Sequence, residues 1–313
     1  PHLPLGCRII LEPKAKEYIM SNIRSAMQRF TARKVITLVQ NFERNHSVPL
    51  SLASFVRIYQ LPLDKIYKGR TWNQLLYEAG LRPEQSGYNE ELSRAVFRKW
   101  LATDSHSYLS FIERLAGLSF KVKVSEMNVL DQKRLLMFYY DMFENAGRFD
   151  SLQQMVDELS KDAILCAELR EVLPLLLQES KAYEMADNSQ LPDFPLKLHG
   201  VYTKAQIQVA LGTSTLARKS PAREGVERNK ELRVEAMFVD IIKNREEGST
   251  TNYDDKALSP YLFQWDTQNR VKPESKEGQA YINQTQTMLL FVREQKNFVE
   301  DKSRTMGYVY LGR

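Results

Sequence analysis

The spacing of apolar residues changes along this chain, and that change limits the folds it can adopt. Over residues 14–179 apolar side chains recur every three or four positions, as on the buried face of an α-helix. Over residues 234–241 the period becomes two residues, with Val234, Ala236 and Phe238 on one side and Met237, Val239 and Ile241 on the other, as in a β-strand buried on both faces or at a barrel seam. We therefore predict an α+β chain. Its first two-thirds are mostly helical, and its C-terminal part forms a small sheet with a helix.

Residues 1–85 are predicted to form a basic, helix-turn-helix-like domain. Apolar positions at helical spacing predict a helix over 14–30 and another that ends near Phe42. Ser51 and Thr71 stand where N-caps are expected, each just before an apolar helical pattern. Trp72 falls on the inward face of the last helix. Short helices, tight turns and a buried tryptophan are typical of such a bundle.

Residues 86–190 are predicted to form an acidic α-helical spacer between linkers at 83–87 and 187–195. Its apolar stripes at helical spacing are typical of core packing rather than of a cofactor site. The predicted helical stretches are 90–116, 129–146, 151–159 and 162–179.

Residues 191–313 are predicted to form a C-terminal α+β domain. Thr203 can cap a helix that ends before Gly212. Strands are predicted at 234–241, 261–267, 287–293 and 307–311, separated by polar turns. We expect a small, partly closed antiparallel barrel, since closure removes exposed strand edges.

The composition argues against a metal-binding protein and against a membrane-spanning protein. Cys7 and Cys166 stand far apart, the four histidines are isolated, and no apolar stretch reaches the length of a membrane span. The sequence contains no phosphate-binding loop, no Gly-x-Ser-x-Gly elbow and no His-Glu-x-x-His. We therefore predict a cytoplasmic chain without a membrane partner, a metal site or a catalytic centre of its own.

Charge is distributed unevenly along the chain. Residues 1–85 carry a net charge of +7, residues 86–185 carry −4 and the remainder carries +2. A basic excess on a helical bundle favours contact with a polyanion such as DNA. The candidate phosphate contacts are Arg33, Lys34, Arg44, Arg57, Lys65, Lys68 and Arg70.

One C-terminal stretch combines aromatic and amide side chains. Strand alternation places Phe263 and Trp265 on one face and Gln264 on the other, with Gln268 and Asn269 following. Aromatic rings and amides suit base stacking and base-edge hydrogen bonds. The alternative is that the rings are core and that the amides satisfy backbone groups. A further candidate is Arg293, which ends an apolar strand and could meet a phosphate or pair with Asp254 or Asp266.

A metal-dependent nuclease is a further hypothesis, because such enzymes place carboxylates and a lysine at a strand end. Glu235, Asp240 and Lys243 lie on or beside the predicted strand, and Asp254 and Asp255 follow. Two residues separate Asp240 from Lys243, which does not fit the usual Asp/Glu-x-Lys spacing. Ordinary charge at a strand edge is the simpler interpretation.

The sequence resembles the C-terminal, non-motor region of bacterial superfamily-2 DEAD/DEAH-type helicases that end in a domain of unknown function. The residues that carry the resemblance are Tyr202, Tyr253-x-Asp255, Leu258-Ser259, Phe263-x-Trp265, Gln268, Gly278, Tyr281, Leu290-Phe-Val-Arg293 and Tyr310-Leu-Gly312. Gln264 and Thr267 depart from it, since the family pattern leads us to expect His and Ser there.

The resemblance implies a part of a longer DNA helicase or translocase, of a type often associated with restriction or phage defence. Consistent with this, the chain opens on Pro1 rather than Met. ATP and Mg²⁺ would then belong to upstream motor domains, and this region would hold no cofactor. It would bind DNA and set substrate selectivity. The alternative is a protein-interaction module that docks on the motor or on a defence-system partner.

Overall fold

The computed structural model describes residues 31–83, 87–186, 191, 193–221, 225–242, 255–259, 262–267 and 271–313. Within them the predicted α+β class is confirmed. Helices dominate up to residue 179, and a five-stranded sheet with a helix follows. The predicted helix over 14–30 lies outside the described residues.

The first described helices are short, and N-cap side chains cap three of the five, those that follow Thr31, Ser51 and Thr71. Their bounds are α1 Ala32–Gln40, α2 Phe42–Asn45, α3 Leu52–Tyr59, α4 Leu63–Tyr67 and α5 Trp72–Glu78. The predicted N-caps are confirmed. Ser51 forms a reciprocal capping box with Ser54, and Thr71 forms one with Gln74. Trp72 is buried as predicted.

Five further helices follow, with bounds α6 Asn89–Arg98, α7 His106–Gly117, α8 Val129–Phe143, α9 Leu152–Leu159 and α10 Ala163–Glu179. The stretch predicted as helical over 90–116 is divided by a 3-10 turn at Trp100–Ala102, and Ser105 caps the helix that restarts. Pro174 lies inside α10, which continues to Glu179. A proline there removes one backbone hydrogen bond of the helix.

Two carboxylates of α10 hold the short helices in place. Glu168 accepts hydrogen bonds from the backbone N–H groups of Trp72 and Asn73, each at 2.7 Å, at the start of α5. Glu171, three residues further along the same face, accepts the N–H of Leu52 at the start of α3 (2.7 Å). Both carboxylates therefore satisfy helix N-termini, whose free N–H groups and positive dipole end favour an anion.

A third carboxylate joins the helices to the C-terminal part. One oxygen of Asp141, in α8, accepts hydrogen bonds from Trp100 Nε1 (2.8 Å), Tyr108 Oη (2.7 Å) and Gln206 Nε2 (2.9 Å). Asp141 is fully buried, and this burial raises the pKa of its carboxyl group. Because Gln206 lies in the helix Lys204–Ala210 of the C-terminal part, Asp141 fixes how that helix packs on α8.

The C-terminal part consists of β1 Val201–Tyr202, α11 Lys204–Ala210, β2 Val226–Asn229, β3 Val234–Asp240, β4 Lys256–Ser259, β5 Leu262–Gln264, α12 Lys276–Ile282, β6 Thr287–Arg293 and β7 Tyr308–Gly312. Thr203 caps α11 as predicted. The main sheet has the order β1-β7-β6-β3-β2, and β4 and β5 form a separate hairpin.

The expected all-antiparallel arrangement was wrong for one strand pair, because β3 and β6 are parallel, with Val234 opposite Thr287 and Asp240 opposite Arg293. Residues 241–286 form the connection between them and include the hairpin and α12. A connection of that length can return the chain to the end of the sheet where β3 began. In the described residues the sheet is open, with β1 and β2 at its edges.

The sheet lies directly against the helices. A Cβ atom on Gly307 would lie 2.2 Å from the carbonyl oxygen of Ala102, so only glycine fits at this crossing. Asp104 also forms an isolated antiparallel bridge with Val201 of β1. Among the described helices, none has both the length and the apolar character needed to cross a bilayer.

We predict that Glu168 makes stability depend on pH. Burial raises the pKa of its carboxyl group from 4.5 to about 7, and the hydrogen bonds from Asn73, Tyr67 and Trp72 only partly oppose this. Between these two pH values the folded state keeps a proton that the unfolded chain has released. The free energy of unfolding should therefore fall as pH rises from about 4.5 to about 7 and level off above, by an amount on the order of 3 kcal/mol.

Glu168→Gln should remove this dependence, because an amide does not titrate. It should also cost roughly 1–3 kcal/mol, since the amide NH₂ would face at least one of the donors that the carboxylate now accepts. Urea unfolding below, within and above the pH window measures both effects. Glu300→Gln, at an exposed carboxylate, is the control. A wild-type pH profile in Glu168→Gln would contradict the assignment.

Candidate nucleic-acid interface

The predicted phosphate contacts on the first two described helices, and one on α3, are at the surface. Arg33 and Lys34 lie in the first turn of α1, Arg44 lies in α2 and Arg57 lies in the last turn of α3, and all four are exposed. We call these four residues the basic helical surface. In the described part of the chain, no carboxylate lies within ion-pair distance of Arg33, Arg44 or Arg57. Their charge is therefore available to a ligand.

The other three predicted phosphate contacts differ in their exposure and in their ion-pair partners. Lys65 is half-buried in α4. The side chain of Lys68 is 65% exposed, and its Nζ lies 3.9 Å from Asp301. Arg70 is mostly buried and forms a salt bridge with Glu78. Arg70 thus has an internal partner, and Lys68 remains accessible.

The acidic residues within residues 31–70 each contact a partner in the fold. Residues 31–70 contain seven Lys/Arg and two Asp/Glu, a net charge of +5 that equals that of the whole chain. The two acids are Glu43, which accepts the Leu50 N–H (3.2 Å), and Asp64, which pairs with Arg304 at 3.5 Å. The stretch therefore carries an excess of positive charge along the sequence, and carboxylates from elsewhere in the fold contact it at Leu52, Lys68 and Arg70.

Trp265 belongs to a cluster that reaches into the sheet. Its ring is half-buried and meets Tyr281 edge-to-face, with ring centroids 5.6 Å apart. The Tyr281 hydroxyl donates to Glu235, which is fully buried on β3. Arg228, directly opposite on β2, binds both oxygens of Glu235 at 2.8 and 3.1 Å. Burial and the hydrogen bond to Glu235 raise the pKa of Tyr281, so the phenol stays neutral and its ring is fixed as a support for Trp265.

The position of Tyr281 depends on a glycine in the same helix. A Cβ atom on Gly278 would lie 2.1 Å from the carbonyl oxygen of Lys272. Only glycine therefore lets α12 approach the preceding loop this closely. Gln264 is the last residue of β5 and is half-buried, whereas Gln268 and Asn269 lie outside the described residues.

Arg293 has a structural role in this fold. Its guanidinium group binds Asp240 through Nε (2.6 Å) and a terminal nitrogen (3.0 Å), and lies 4.2 Å from the centroid of the Tyr308 ring. Asp240 and Arg293 are register partners at the ends of the parallel strands β3 and β6. The predicted partners were Asp254, which lies outside the described residues, and Asp266, and the observed partner is Asp240.

The carboxylates of the nuclease hypothesis do not converge where they are described. Glu235 and Asp240 are five residues apart on β3, so their side chains project to opposite faces of the sheet. Each is bound by an arginine of a neighbouring strand. No group of three or more metal-ligating side chains occurs among the described residues. Lys243 and Asp254 lie outside those residues.

Two cations of the acidic middle segment were not among the predicted contacts. Arg94 and Arg98 lie one turn apart on α6 and line the same cavity as Lys68. Their four-residue spacing is a sequence signal that could have revealed them. A charge count over residues 86–185 hides this spacing signal, because that segment is acidic on average.

The comparisons with known proteins concern the C-terminal part. Residues 196–313 match the family model DUF3427, a domain of unknown function. Neither a curated protein nor a solved structure matches the chain. The matched residues include the whole sheet, α11, α12 and the Trp265 cluster.

We predict that Arg293→Ala destabilises the protein by roughly 1–3 kcal/mol, because it leaves Asp240 and the Tyr308 face without their partner. The measurement is urea unfolding, with Lys296→Ala, at an exposed cation three residues on, as the control. In a double-mutant cycle with Asp240→Ala, the two effects should be strongly non-additive. An unchanged unfolding free energy together with weakened DNA binding would instead make Arg293 a DNA contact.

Proposed function

We propose that this chain is a DNA-binding accessory region of an ATP-dependent helicase or translocase. In this proposal it contacts the phosphate backbone through the basic helical surface and holds the motor on its substrate. The observation that carries the proposal is that Arg33, Arg44 and Arg57 are exposed and have no ion-pair partner among the described residues. The association with a motor, and with ATP and Mg²⁺ bound there, rests on the sequence resemblance.

Phosphate contacts supply affinity without reading sequence. The C-terminal domain offers a different kind of contact, because Trp265 is a half-buried ring backed by a fixed tyrosine. Such a ring can stack on an unpaired base, and stacking tolerates any base. The proposal therefore assigns duplex phosphates to the helices and an exposed base to Trp265.

The second candidate is a protein-docking module, and the hairpin β4–β5 favours it. All four residues of β4 are exposed, and Leu258 and Leu262 are 53% and 58% exposed. Neighbouring exposed leucines are typical of protein-interaction sites. If the chain binds neither duplex nor single-stranded DNA at low salt, this second function replaces the first.

The first test is the salt dependence of duplex binding. If the basic helical surface binds phosphates, Arg33→Glu/Arg44→Glu/Arg57→Glu should weaken binding to all sequences alike. It should also lower the slope of log affinity against log salt by about three, roughly one for each arginine that no longer binds a phosphate. Fluorescence anisotropy of labelled duplexes between about 50 and 200 mM salt measures both quantities.

The matched control is Lys121→Glu/Arg218→Glu/Lys230→Glu. It changes the net charge equally, at exposed cations outside residues 31–70. Its slope should stay within about one unit of the wild type. Equal reductions of affinity in the two triple variants would mean that only net charge matters, and the basic helical surface would then not be the binding site.

The second test uses the tryptophans. Trp72 and Trp100 are 2% and 1% exposed, so quenching of emission by a bound single strand should come from Trp265. We expect quenching in the wild type and little in Trp265→Phe. Trp265→Ala should weaken single-strand binding by about 1–3 kcal/mol. Circular dichroism checks that both variants are folded. Unchanged affinity in a folded Trp265→Ala would exclude stacking.

A further inference from the structure

A cavity of about 710 Å³ opens where the short helices, α6 and the C-terminal segment meet. Its volume is within the range of about 300–1,000 Å³ that is typical of ligand sites. Its charged lining residues are Lys68, Glu90, Arg94, Arg98 and Glu144, and Ser303 closes one side. We call it the junction cavity.

The segment between β6 and β7 docks at the edge of the junction cavity and supplies one lining residue, Ser303. Arg304 pairs with Asp64 at 3.5 Å, and its guanidinium carbon lies 4.4 Å from the Phe298 ring centroid and 5.4 Å from that of Phe97. Its side chain is only 12% exposed. Ser303 directly precedes this anchored arginine, so the cavity wall is held in place by the contact of the C-terminal domain with the helices.

The cations of the junction cavity are not equivalent. Arg94 is bound by Glu90 at 3.2 Å and by Glu144 at 3.5 Å, so its charge is more than matched within the fold, and Lys68 and Arg98 give the lining its net positive charge. Arg98 is exposed, and within the described ranges no carboxylate lies close enough to pair with it. Lys68 has one distant partner, Asp301, at 3.9 Å. Two accessible cations from different helical regions therefore face one cavity.

This combination suits a phosphate group. A guanidinium group can bind two phosphate oxygens at once, and an ammonium group adds a compact charge. The Phe97 ring lines the cavity, but Arg304 already packs over it. The cavity therefore suits a phosphate better than a base that would stack on this ring.

We propose that the junction cavity binds a backbone phosphate of the bound DNA through Lys68 and Arg98. The proposal rests on the proposed DNA-binding function and extends it, because it places one contact against the C-terminal domain. A strand held there would touch the short helices, α6 and the segment at Ser303 together. Binding would then depend on the docked arrangement of the two parts.

The experiment measures duplex and single-strand affinity of the full 313-residue chain with Lys68→Gln, Arg98→Gln and the control Lys121→Gln. Lys68→Gln and Arg98→Gln should each weaken binding about tenfold and lower the salt slope by about one. Lys121→Gln should change neither. Urea unfolding should show the same stability for all three, since these side chains are exposed.

A further variant tests the dependence on docking. Arg304→Ala removes the anchor of the segment that carries Ser303, and it should reduce the effect of a second Arg98→Gln substitution on affinity. Circular dichroism and gel filtration verify that this variant remains folded. Full additivity of the two substitutions would overturn the dependence on docking.

Inorganic phosphate and a mononucleotide, at matched ionic strength, test whether the junction cavity binds a free phosphate compound instead of a DNA phosphate. If either binds tightly and in an Arg98-dependent way while duplex affinity is unaffected by Arg98→Gln, the site takes a free phosphate compound and the DNA assignment is wrong. Wild-type duplex affinity and slope in Arg98→Gln and Lys68→Gln, with binding abolished in the Arg33/Arg44/Arg57 variant, would overturn the junction cavity alone. Absence of any DNA binding by the wild type would overturn both proposals.

Discussion

The structure depends on one constraint: carboxylates of α8 and α10 are placed where hydrogen-bond donors of other helices can reach them. A buried carboxylate is costly unless several donors meet it. Glu168 of α10 obtains those donors from Tyr67 and the N-terminus of α5. The partly buried Glu171 accepts one from the N-terminus of α3, and Asp141 of α8 obtains one from Gln206 of α11. The acidic middle segment is therefore more than a spacer, because its carboxylates fix the elements on both sides of it in position.

The same requirement decides the chemistry of the sheet. On β3, Glu235 is met by Arg228 across one strand pair and Asp240 by Arg293 across the other. Each pair lies in register, so the strand pairing itself brings the charges together. Carboxylates bound in this way hold the sheet and its neighbours. They are poor metal ligands, because a metal would have to displace an arginine that already binds two oxygens.

Local features were predictable from sequence, and long-range pairings were not. Ser51, Thr71 and Thr203 were recognisable as N-caps because the signal lies within four residues. β3 was recognisable as a strand because Val234, Ala236 and Phe238 recur at every second residue on one face. Its parallel partner was not, since alternation gives no strand direction and the connection over 241–286 decides it. For the same reason, the partner of Arg293 could not be read from the sequence.

The candidate DNA-binding site is identified by the cations to which the fold gives no ion-pair partner. Arg70, Arg228, Arg293 and Arg304 pair with internal carboxylates, whereas Arg33, Arg44, Arg57 and Arg98 have no such partner among the described residues. A count of charge along the sequence treats both groups alike and hides Arg98 within an acidic segment. Ion pairing in the folded chain separates them. The proposed DNA contacts therefore run from the short helices to α6 and the docked C-terminal segment, instead of stopping at the end of the basic stretch.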